Sequence, residues 1–71
     1  MLKTMEVYYW DDQTEMFMVE GVNLVTGKTE GFCGVRIRDW EDLEMNYLRL
    51  ENKYFRRIGQ NGRLTLLERV E

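Results

Sequence analysis

The sequence predicts an α+β domain over residues 1–71: a three-stranded antiparallel meander, one amphipathic helix at about 40–58, then a final strand, in the order βββαβ. Three observations lead there. At about 100° per residue, Trp40, Leu43, Tyr47, Leu50, Tyr54 and Ile58 fall within an arc of roughly 80°. The same stretch has marked ends, with Asp39 where an N-cap belongs, Glu41, Asp42 and Glu44 in the first turns, Arg56 and Arg57 in the last, and Gly59 to close it. The residues on either side are rich in β-branched and aromatic side chains and are punctuated by turn signals.

The first strand is expected over 3–10, KTMEVYYW, with Met5, Val7 and Tyr9 on one face and Glu6, Tyr8 and Trp10 on the other. The Asp11-Asp12-Gln13-Thr14 turn leads into a second strand over roughly 15–25, where Gly21 suggests a bulge. The length of that turn is open by one residue. A one-residue slip exchanges the faces, so either Phe17 and Val19 or Met16 and Met18 lie beside Trp10. Val25-Thr26-Gly27-Lys28 is a hairpin signal, with Gly27 supplying a positive φ. It delivers a third strand over 29–38, with Cys33, Val35 and Ile37 on one face and Phe32, Arg36 and Arg38 on the other. After the helix, Gln60-Asn61-Gly62 marks a turn, and 63–70 reads as a strand with Leu64, Leu66 and Val70 facing inward.

An all-β, SH3-like barrel is the alternative, with YLRL-ENK-YFRRI as a hairpin. A turn on Asn52-Lys53 would set Arg49 opposite Arg56, and directly opposed like charges destabilise a strand pair. Residues 40–57 also lack valine, isoleucine and threonine, which favours the helix.

Composition narrows the chemistry. Hydrophobic residues make up 44 % and charged residues 32 %, a globular balance, with no apolar run long enough to span a bilayer. The N-terminus lacks a signal-peptide core, so a cytoplasmic location is expected. Cys33 is the single cysteine; flanked by glycines and Phe32, it reads as a small buried residue rather than a reactive thiol. Histidine and serine are both absent, which removes the commonest general base and a common nucleophile, so no enzymatic activity is expected. The acidic clusters do not have the alternating ligands of a calcium loop, and no metal or other cofactor is expected.

Two features suit binding. A helix covers one sheet face and would leave Tyr8, Trp10 and Phe32 on the other, flanked by Asp11, Asp12, Arg36 and Arg38. That face suits an unidentified protein partner or a second copy, a homodimer above all. The function expected is therefore that of a small protein-binding regulator or inhibitor, of a kind frequent among phage and mobile-element proteins, with its acidic stretches steering it to a basic surface. Charge supplies the second feature. Residues 1–48 carry four cations and ten anions, a net of −6, and residues 49–71 carry six cations and three anions, a net of +3, giving the overall −3. The basic end, Arg49, Lys53, Arg56, Arg57 and Arg63 with Phe55, is the alternative site, for single-stranded nucleic acid or RNA. A negative net charge weighs against it. A structural subunit of a larger assembly is the third reading.

Overall fold

A computed structural model describes residues 3–70. Its architecture is all-β. The strands are β1 (Thr4–Asp11), β2 (Met16–Asn23), β3 (Thr29–Arg36), β4 (Trp40–Asp42), β5 (Tyr47–Leu50), β6 (Lys53–Asn61) and β7 (Leu64–Val70). They form one antiparallel sheet in the order β3-β2-β1-β7-β6-β5-β4. The expected helix is absent; its residues form β4, β5 and most of β6, so the all-β alternative describes the chain.

The reason lies in burial. Of the six residues on the helical stripe only Leu50 is buried, and Tyr54 and Ile58 are exposed. The core takes Leu48, Leu50 and Phe55 instead, which share a face only if β5 and β6 alternate with period two across a tight turn. That turn falls on Glu51-Asn52, one residue earlier than the Asn52-Lys53 turn the sequence suggested. The shift opposes Arg49 to Tyr54 and Arg56 to Tyr47, so no like charges clash. Positive φ values at Met45, Asn46 and Glu51 supply the two reversals a helix could not contain. The β6–β7 ladder is long and slips by one residue between Arg57 and Gly59, leaving Ile58 as a bulge.

The sheet curls until its two halves share an interior. Phe17 of β2 and Phe55 of β6, with β1 and β7 between them in the sheet, bring their rings to 5.2 Å. Trp40 of β4 packs edge-on against Trp10 of β1 at 5.3 Å, and its Nε1 donates to Glu15 at 2.8 Å. The core on this concave side is Trp10, Ile37, Leu48, Leu50, Phe55 and Leu67, with Tyr8, Phe17 and Trp40 packed against it. The outermost strands β3 and β4 do not pair, so the barrel is left open along its seam.

Several local expectations change with the register. The first turn occupies residues 12–15, between the paired Asp11 and Met16, which puts Phe17 beside Trp10 in the interior and sends Met16 and Met18 to the convex side. The irregularity at Gly21 is present, but the extra residue is Glu30 on β3, because Gly21 pairs with Gly31 and Val22 with Thr29. Gly27 has the positive φ expected of its hairpin. In β7 the buried residue is Leu67, whereas Leu66 pairs with Tyr9 and faces outward. Cys33 is exposed rather than buried, because β3 has a neighbour on one side only.

Candidate functional site

The curl divides the aromatic residues that the sequence grouped together. Trp10 is 1 % exposed and Tyr8 rests on the core, so neither is the outward anchor expected of it; closing the barrel turned their face inward. Phe32 does lie outside, 63 % exposed, paired across the ladder with Glu20. Asp11 is also buried, at 3 %, while Asp12 is exposed. Arg36 lies 3.8 Å from Glu15, and Arg38 is exposed beyond the end of β3.

Asp11 organises the end of the β1–β2 hairpin. Its carboxylate accepts the backbone N–H of Gln13 at 3.1 Å and pairs with Arg63 at 3.0 Å. Burial by itself would raise its pKa. Hydrogen bonds from Thr14 and Gln13 and the Arg63 charge together outweigh burial and hold it below the ordinary carboxylate value. The group is thus a fixed anion of the fold rather than a free steering charge.

The basic end is neutralised in the same manner. Arg49 reaches Asp39 at 3.1 Å and Glu41 at 3.5 Å, Arg56 reaches Glu68 at 2.7 Å, Arg57 contacts Asp42, and Arg63 is held by Asp11. Hydrogen bonding to Asp39 raises the Arg49 pKa further. Phe55, the ring expected to stack on a base, is 2 % exposed and in contact with Phe17 and Tyr8, whereas its neighbour Tyr54 is exposed opposite Arg49. Lys53 is exposed at the rim. Four of the five cations expected to meet phosphate are therefore engaged with carboxylates, and Phe55, the expected stacking platform, is inside the core.

What the structure assembles is a convex apolar face that keeps Phe32 and the Met16/Met18 alternative outside but replaces Tyr8 and Trp10 with Met5, Val7 and Tyr9. Strand alternation places Met5, Val7 and Tyr9 of β1, Met16 and Met18 of β2, Phe32 of β3 and Leu66 of β7 on that side. Tyr9 donates its hydroxyl to Glu20 at 2.9 Å, and Glu20 also accepts from the Thr29 hydroxyl. These bonds, Thr29 first and Tyr9 second, lower the Glu20 pKa; the Glu20 bond raises that of Tyr9, with burial adding to it. The face continues into a cleft of about 450 Å³ between Met5, Val7, Ile58 and Leu66, bordered by Glu68 and Arg69. The cleft exists because β1 and β7 pair only at Tyr8–Trp10 against Thr65–Leu67 and part beyond them. The signal for this face was the alternation Met5-Val7-Tyr9, which the sequence does show; its assignment to the interior was one face off.

Among the described residues no group of three or more histidine, cysteine, aspartate or glutamate side chains is placed to hold a metal. No helix among them is long and apolar enough to cross a membrane. No protein-family model matches the chain, and no curated protein or solved structure is significantly similar to it.

Proposed function

We propose that this chain is a small, non-enzymatic cytoplasmic protein-binding module, a regulator or inhibitor, that engages its partner through the convex face of β1, β2, β3 and β7. One observation carries the reading: strand alternation gathers apolar side chains of β1, β2, β3 and β7 on one outer side of the sheet. Met5, Phe32 and Ile58 are exposed, and Val7, Tyr9, Met16, Met18 and Leu66 are half-buried, with Glu20 between Val7 and Phe32. Scattered apolar residues need no explanation, but apolar side chains gathered on one side and bordering a cleft suit a protein contact. Methionine side chains let such a face adapt to its partner's shape.

The decisive experiment compares proteins retained from the native host by the tagged chain and by a Phe32→Asp, Met18→Asp variant with a native circular dichroism spectrum. A partner held by the wild type and lost by the variant supports the face. A partner held equally by both refutes it.

A further inference from the structure

The two edges of the sheet are treated differently. At one edge β4 has three residues, and its Glu41 and Asp42 are bridged to Arg49 and Arg57. A short, charged edge of that kind is blunted against further pairing. At the other edge β3 has eight residues, all exposed, with no proline and no lysine within it. Beyond Gly31 it pairs regularly with β2 as far as Arg36, so its free side is an open row of donors and acceptors.

We infer that β3 pairs antiparallel with β3 of a second copy of this chain, about a twofold axis through Cys33. A twofold between neighbouring antiparallel strands must be perpendicular to the sheet and centred on one residue. The bulge at Glu30 limits the regular stretch to Gly31–Arg36, so axes through Cys33 (pairing 31–35) and Gly34 (pairing 32–36) give the longest ladders. Chemistry selects the first. With the axis on Cys33, Phe32 lies opposite the second copy's Gly34. Gly34 is flanked on the convex side by Met16 and Met18, whose side chains come within 3.2 and 3.3 Å of where a Cβ would stand. An aromatic ring over a cross-strand glycine, edged by two thioethers, is a stabilising pairing. Glu30 then lies beside Arg36 of the second copy, at both ends of the ladder, giving opposite charges where the paired segment stops. With the axis on Gly34, Glu30 lies beyond the second copy's strand and Phe32 meets Arg36. The paired sheets would join the two convex faces into one, and the β3 edge would pair whether or not that face serves another partner.

The axis also sets the two Cys33 residues directly opposite each other. Opposed residues of an antiparallel ladder have Cα atoms about 4.5–5.5 Å apart, within the span a disulfide bridges.

The test uses the full chain. Under reducing conditions, sedimentation equilibrium should show a dimer at concentrations on the order of 100 µM. Glu30→Arg and Arg36→Glu should each weaken it by about tenfold, and the double exchange should restore it to within about threefold. Added diamide should join the two Cys33 thiols; they lose two electrons and two protons to the diamide, which becomes the hydrazine as the S–S bond forms. The crosslink should slow by about tenfold in Arg36→Glu. A monomer at all concentrations overturns the inference, as does a dimer indifferent to the charge exchanges or one that diamide does not link. If either single variant loses its native circular dichroism, the wild-type crosslink decides: its rate should follow the dimer fraction and level off, and a rate rising in proportion to concentration without limit means collision and overturns the pairing.

Discussion

Replacing Trp10 tests the architecture most directly, because an exposed anchor and a core residue answer oppositely. Trp10 is 1 % exposed, packs against Trp40 at 5.3 Å, and stands among Ile37, Leu48, Leu50, Phe55 and Leu67. Truncating a buried tryptophan to alanine costs about 3–5 kcal/mol in transfer energy and residual cavity. A 71-residue chain has about 4–11 kcal/mol of total stability at 0.05–0.15 kcal/mol per residue. Trp10→Ala should therefore remove roughly half of the stability and lower the melting temperature by about 12–40 °C. The indole Nε1 adds a second handle, since it is buried with no hydrogen-bond partner among the described residues. Trp10→Phe deletes that donor and its desolvation penalty, about 1–3 kcal/mol, which offsets the loss of ring volume. Its net cost should be under about 2 kcal/mol. Urea titration followed by far-ultraviolet circular dichroism measures both. A Trp10→Ala protein within 1 kcal/mol of wild type would refute the enclosed core, and equal costs for alanine and phenylalanine would refute the unsatisfied donor.

Glu51 sits at φ 56° in the β5–β6 turn, a conformation that costs a side-chain-bearing residue about 1–2 kcal/mol. Glu51→Gly should raise stability by about 0.5–1 kcal/mol after glycine's own entropic cost, and Glu51→Val should lower it, both read from urea midpoints. The pKa values of Asp11 and Glu20 are lowered in the fold. Each therefore contributes stability above the ordinary carboxylate value near about 4, lost as pH falls through the lower folded value. Melting temperature should drop with acidification in the wild type, and its pH slope should flatten in Asp11→Asn and in Glu20→Gln. Tyr9, with its pKa raised, acts at the other end: its contribution is complete below about 10 and disappears as pH rises through the folded value, a loss that Tyr9→Phe should abolish. Because Arg49, Arg56, Arg57 and Arg63 are each held by carboxylates, a gel shift with single-stranded DNA or RNA should show no retention even at low salt; salt-sensitive retention would reinstate the nucleic-acid reading.

Local signals were enough wherever the structure is local. The Gly27 hairpin, the strands on either side of it and the irregularity around Gly21 follow from turn chemistry and from β-branched and aromatic runs, which act within a few residues. The convex face was legible as an alternation, though not as the outside. Residues 40–58 were ambiguous for a physical reason: Trp40, Leu50 and Tyr54 suit a helical stripe, while Leu48, Leu50 and Phe55 suit a hairpin with its turn one residue earlier. Propensity and end signals favoured the helix.

The sequence alone determined the strand-rich flanks, the turn at Gly27, and a supply of aromatic and methionine side chains larger than one small interior holds. Only the tertiary structure decided that 40–58 is extended, that Trp10 faces inward and that Arg56 meets Glu68. The deciding contacts, β1 on β7 and Trp40 on Trp10, join residues far apart in the chain. Their burial energy outweighs a helix preference worth a few tenths of a kcal/mol per residue.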